Sequence, residues 1–136
     1  MRVAALFLAL AGPVLADDTG IGAQLNAFRA EAGRASLAES PAAVRAAAAH
    51  AADMARRGFF AHDGSDGSSV GDRLAREGCR WTGVAENIAK GQKTAAEVVA
   101  GWAASPGHRR NMQGPYDGFG AARAGDIWVL VLARGC

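Results

Sequence analysis

Near its C-terminus the chain carries an unbroken β-rich apolar run, from Ile127 to Leu132, with no polar residue to mark a solvated face. Successive side chains of a strand point to opposite faces, so a strand wetted on one side alternates apolar with polar residues. A continuous run instead needs cover on both faces, which helices on either side of a small sheet provide. Phe119 to Arg123 supplies a second strand, joined to the first through the turn residues Ala124, Gly125 and Asp126. The strand pair follows a long helical stretch, which makes the class α+β.

Helical periodicity accounts for most of what precedes. Ile21, Leu25, Phe28 and Ala32 recur at three- and four-residue spacing between Thr19, a candidate N-cap, and Gly33, a stop. A longer helix opens at Ser40 as N-cap with Pro41 at its first position, and Gly58 ends it. Its expected inward stripe is Val44, Ala47, Ala48, Ala51 and Met54, and so many alanines allow neighbours to approach closely. The loop Asp63 to Ser69 is rich in Gly, Ser and Asp, and there Asx-turns are the expected duty of Asp63 and Asp66. A short helix from about Ser69 to Arg76 follows. Residues 79–93 are expected to be irregular or briefly extended. Thr94 and Glu97 form a capping-box pattern ahead of Val98, Val99 and Trp102, in a helix that must end before Pro106.

The first sixteen residues, MRVAALFLALAGPVLA, place Arg2 before an apolar run and a small-residue site ending at Ala16. That is the layout of a secretory signal peptide, and the run falls short of the roughly 20 residues a membrane span needs. Cleavage after Ala16 is expected, leaving residues 17–136 as one exported domain, periplasmic or extracellular and monomeric. Less Arg2, the 15 basic and 13 acidic residues leave a formal net charge of +1. A balance so near neutral, without a basic run, gives no footprint for nucleic acid or anionic membrane. The two cysteines, Cys79 and Cys136, suit a disulfide in an oxidising compartment, the alternative being two separate buried thiols.

Four segments in register, LNAFRAEAG, HAADMARRGFFAHDG, GVAENIAKGQ and VVAGWAASPGHRRNM, resemble the bacterial branch of the CAP superfamily, the cysteine-rich secretory and SCP-like proteins. The resemblance runs from about Leu25 to the C-terminus. It implies a three-layer α-β-α sandwich with a small, mainly antiparallel sheet, and a cleft lined by two histidines and two acids. Position by position these fall on His62, Glu86 and His108. The fourth, three residues after Trp102, is Ser105 where the family has an acid, which lowers the negative charge of the cleft. Ala85 likewise replaces a glycine usual before the Glu.

Neutral imidazole is a good donor to Zn²⁺ or another divalent ion, and a carboxylate adds charge or orients a ring. No cofactor is required by the pattern, but His62, Glu86 and His108 offer a possible metal set on the strength of the resemblance. Their separations, 24 and 22 residues, are not a local metal motif. The competing account is that His62 and Glu86 hydrogen-bond to each other and anchor loops. His50 reads as a helix residue, packed or on the surface, rather than a ligand. Asn87 and Asn111 read as holders of local backbone, and Trp81, Trp102 and Trp128 as core or cleft walls.

Two functions follow. The first is a non-enzymatic binding module presenting its cleft to a small ligand, lipid or protein. The second is a hydrolase, either metal-assisted or built on Ser105, with His108 three residues on and Glu86 to orient the ring. Against the second, Pro106-Gly107 suits a helix stop and no oxyanion hole can be named.

Overall fold

The computed structural model describes residues 17–136; the expected leader, residues 1–16, lies outside the described residues. In chain order the elements are α1 (Ile21–Glu31), β1 (Ala38–Glu39), α2 (Pro41–Arg57), α3 (Val70–Arg76), β2 (Gly83–Lys90), α4 (Ala95–Ala103), α5 (Pro106–Met112), β3 (Gly118–Ala124) and β4 (Ile127–Arg134). The apolar run is β4, and it sits inside a four-stranded sheet of order β1-β3-β4-β2. β4 pairs antiparallel with both neighbours, while the two-residue β1 runs parallel to β3.

The double cover demanded by β4 is present. Trp128, Leu130 and Leu132 point into one core with Ile21 and Leu25 of α1, Val98, Val99 and Trp102 of α4 and Met112 of α5. Ile127, Val129, Val131 and Ala133 point the other way, against Ala43, Ala46, Ala47, Ala51 and Met54 of α2 and Leu74 of α3. The result is the expected α-β-α sandwich. The alanines let α2 lie close on the sheet: a Cβ added at Gly120 of β3 would stand 2.1 Å from the backbone of Ala43 and Val44.

Caps explain most boundaries. The Ser40 hydroxyl accepts from the Ala43 N–H at 3.3 Å, and Gly58 ends α2 in the left-handed conformation. Ser69 and Asp72 close a full capping box on α3. Thr94 accepts from the Glu97 N–H at 3.2 Å, but the Glu97 carboxylate reaches the Lys93 N–H instead of completing the box. α1 starts one residue later than its sequence suggests, with Gly20 as cap, while Thr19 and Asp17 accept from the N–H groups of Ile21 and Gly22.

Three expectations need correction, and one strand was not expected at all. Residues 83–90 form a full strand, β2, paired along its length with β4. Its alternation is hidden because Glu86 and Asn87 are adjacent polar residues, both buried, on opposite faces. Pro106 does not merely stop α4; it opens α5, where proline at the first position loses no helical hydrogen bond. The strand β1 went unforeseen. The inward stripe of α2 is Ala43, Ala46, Ala47, His50, Ala51 and Met54; Ala48 is exposed and Val44 only half-buried.

Cys79, just past α3, is disulfide-bonded to Cys136, with Cα atoms 4.9 Å apart. No helix of the described residues is long and apolar enough to cross a membrane.

Candidate functional site

The edge strand β2 is where the two helical layers meet. Alternation sends Glu86 to the α2/α3 side and Asn87 to the α4/α5 side, and each recruits one histidine. On the first side the Glu86 Oε1 lies 2.9 Å from Nδ1 of His62, in the loop after α2. Its Oε2 accepts from Nη2 of Arg73, in α3, at 2.9 Å. The Glu86 side chain is 2% exposed and that of Arg73 6%, so this is a buried ion pair. Arg73 also donates to the carbonyls of Ser68 and His62, which fixes the loop carrying His62. The His62 ring itself stays open, with 58% of its side chain exposed. Because a carboxylate can only accept, Nδ1 of His62 carries a proton toward Glu86, and Nε2 is the ring nitrogen not engaged by it.

On the second side the Asn87 amide donates to the His108 carbonyl at 3.1 Å, and the Asn111 amide donates to the Asn87 side-chain oxygen at 2.9 Å. These two residues clamp α5 to β2, the backbone duty expected of them. Within α5, Nδ1 of His108 lies 3.0 Å from the Ser105 hydroxyl. Burial, and after it the neighbouring His62, push the His108 pKa below its ordinary value.

His62, Glu86, Ser105 and His108 thus line one groove of about 310 Å³, with Gly107, Arg110 and Asn111 completing its wall. All four residues singled out from sequence come together there. They come as two pairs, His62 with Glu86 and Ser105 with His108. Among the described residues no cluster of three His, Cys, Asp or Glu stands in position to hold a metal ion.

The family model for the cysteine-rich secretory proteins, CAP, matches residues 23–127. The chain belongs to the CAP family. The CAP domain is 36% identical over 107 residues to the uncharacterized protein YkwD of Bacillus subtilis, a match covering 76% of this chain and 42% of YkwD. Among solved structures it superposes on an extracellular protein containing an SCP domain from Bacillus anthracis, with TM-score 0.79 and 26% identity over 90% of this chain and 45% of that one. An outer surface protein of Borrelia burgdorferi shares the fold, with TM-score 0.79 and 18% identity over 85% of this chain and 90% of that one. The chain therefore spans less than half the length of YkwD and of the Bacillus anthracis protein.

Of the CAP domain's polar cluster, Arg73 escaped the sequence reading, while His50 takes the packed one of the two placements expected for it. His50 of α2 is fully buried, with Nε2 2.7 Å from the Ala61 carbonyl and 3.8 Å from Glu86 Oε1. Arg73 stands three residues after Val70 and beside Leu74, on the inward face of α3. That position was the available signal, since a cation on an apolar face requires a buried acid. Trp102 and Trp128 are core residues, whereas Trp81 is 40% exposed and donates to the Gly71 carbonyl.

Proposed function

We propose that this CAP domain is an exported, non-enzymatic binding module whose groove recognises a ligand through the imidazoles of His62 and His108, the Ser105 hydroxyl, the Asn111 amide and the Arg110 guanidinium. The observation that carries this reading is the state of Glu86. Among the described residues it is the only acid lining the groove, and both its oxygens are committed, to His62 and to Arg73. A carboxylate held in this way orients an imidazole; it is poorly placed to shuttle protons for a substrate. Export is supported by the leader pattern over residues 1–16, by the disulfide, and by relatives described as extracellular or outer-surface proteins. Mass spectrometry of the exported chain should find Asp17 at the N-terminus, and a chain beginning at Met1 would refute cleavage.

The residues present suit a weak divalent site better than a tight one. Glu86 fits as the carboxylate behind a histidine ligand, leaving His62 Nε2 and His108 Nε2 as the two protein donors. Two imidazoles fall short of the three protein ligands usual for a catalytic zinc. A bound ion would supply positive charge for an anionic ligand atom. Titration with Zn²⁺ should show weak binding that His62→Ala and His108→Ala each reduce about tenfold or more, a loss of about 1.4 kcal/mol. Unchanged affinity in both variants would refute the pairing.

The contact between Ser105 and His108 favours a second reading, a serine hydrolase. The orienting acid it needs is directed at His62 instead. Treatment with a fluorophosphonate separates the two, since labelling of Ser105 that depends on His108 would establish the hydrolase and an unlabelled Ser105 the binding module.

A further inference from the structure

Among the described residues β2 has one strand neighbour, β4, so its other side is a sheet edge. The Gly91 N–H donates to the Asp126 carbonyl at 2.9 Å, one residue beyond the paired run Gly83 to Lys90. In an antiparallel ladder alternate residues turn their backbone groups toward the partner strand. Counting back from Gly91, Ala89 and Asn87 bond β4, while Ile88 and Glu86 turn their N–H and C=O groups away from it. Two contacts agree with that direction: the Glu86 carbonyl accepts from the Asn111 amide at 3.4 Å, and the Ile88 carbonyl from Trp102 Nε1 at 3.1 Å. With those carbonyls taken, the edge offers two N–H donors that β4 does not use.

The groove also reaches beyond its polar end. A second pocket of about 330 Å³ shares Ser105 and His108 with it and adds Phe60, Ile88, Val98 and Trp102. Phe60 follows α2 and Trp102 belongs to α4, so this pocket, like the groove between His62 and His108, is walled from both helical layers. A space walled from both faces of an edge strand lies over that edge. Phe60 is 46% exposed, a large apolar side chain left at the rim. Lys90 and Arg110 line the continuous trough, and among the described residues Glu86, already bonded, is its only acid. Such a trough favours an occupant with apolar side chains, negative charge and acceptors along its length.

An unpaired strand edge is a template for another extended chain. Carbonyls on one side of an extended peptide recur every two residues, about 6.8 Å, which is also the repeat between the Glu86 and Ile88 N–H groups. A fatty acid, by contrast, carries its acceptors at one end. We propose that the groove and its apolar extension bind an extended, acidic segment of another polypeptide. Its carbonyls accept from the Glu86 and Ile88 N–H groups while an apolar side chain enters between Phe60 and Trp102. This assignment rests on the binding-module reading and names the class of ligand that the module takes.

The test uses the full chain with its disulfide intact and the pentapeptide acetyl-Glu-Val-Leu-Val-Glu-amide as probe. Amide hydrogen exchange followed by NMR should show Glu86 and Ile88 exchanging about tenfold faster than Asn87 and Ala89 in the free protein. Millimolar peptide should slow Glu86 and Ile88 about tenfold and leave Asn87 and Ala89 unchanged, and Phe60→Ala should weaken the peptide about tenfold. Edge amides already as slow as their neighbours in the free protein, or no slowing with peptide, overturn the proposal. Shifts at Ser105 and His108 without protection of Glu86 and Ile88 overturn strand pairing while leaving the groove a binding site. Equal protection by decanoate identifies an amphiphile as the ligand and overturns the proposal as well.

Discussion

Glu86 and Arg73 are the residues on which the groove rests. Removing one member of a buried ion pair strands the other charge, at a cost of about 3–5 kcal/mol. Arg73→Met should lower the unfolding free energy from urea denaturation by that amount, and a change under about 1 kcal/mol would mean that water reaches Glu86. Burial also pushes the pKa of His50 below its ordinary 6.5, reinforced by Arg73 and opposed by Glu86 and the Ala61 carbonyl; His108 is lowered the same way. Below that ordinary value the unfolded chain binds protons that these two folded rings refuse. Their contribution to stability is therefore complete above pH 6.5 and is lost as pH falls toward the folded values. The urea midpoint should fall between about pH 7.5 and about pH 5.5, and His108→Gln should reduce the drop. A midpoint that rises on acidification would contradict the burial of these rings. His62, Glu86, Ser105 and His108 were legible in the sequence because their flanking segments carry family motifs. The contacts of Arg73 and His50 with Glu86 were not, because an inward-facing cation signals that a buried acid is needed without saying which distant strand supplies it.

Among the elements, α2 and β3 make the closest approach. Gly120 has the α2 backbone directly above it, with no flexible side-chain end that could yield. Gly120→Ala should cost about 1–3 kcal/mol as α2 is displaced, seen as a lowered Tm; an unchanged Tm would show that the layers slide freely. The helices were readable because their caps are local, and Ser40, Ser69 and Thr94 each bond within three residues. β4 was readable because its run is continuous. β2 was not, since burying Glu86 and Asn87 on opposite faces replaces the apolar alternation with polar residues whose partners come from both helical layers. α5 was missed for another reason: Pro106 carries the same local signal whether it closes one helix or opens the next.

Over the whole molecule, the sheet separates two cores, and the disulfide ties the turn after α3 to the chain end beyond β4. Cys79 and Cys136 are 57 residues apart, and closing such a loop stabilises by about 4 kcal/mol in the chain-entropy view. Cys136→Ser should remove most of that in thermal or urea unfolding, while a loss below about 1 kcal/mol would show that β4 alone holds the end. The two layers also meet at the β2 edge, each contributing one imidazole to the groove, with Glu86 locked beneath one of them. Carbon and nitrogen NMR during Zn²⁺ titration reads all three groups at once. The Nε2 signals of His62 and His108 should both move while the carboxyl carbon of Glu86 stays in place. Movement of the Glu86 carboxyl with only one imidazole responding, or no imidazole response at all, would contradict a groove whose chemistry belongs to the two rings.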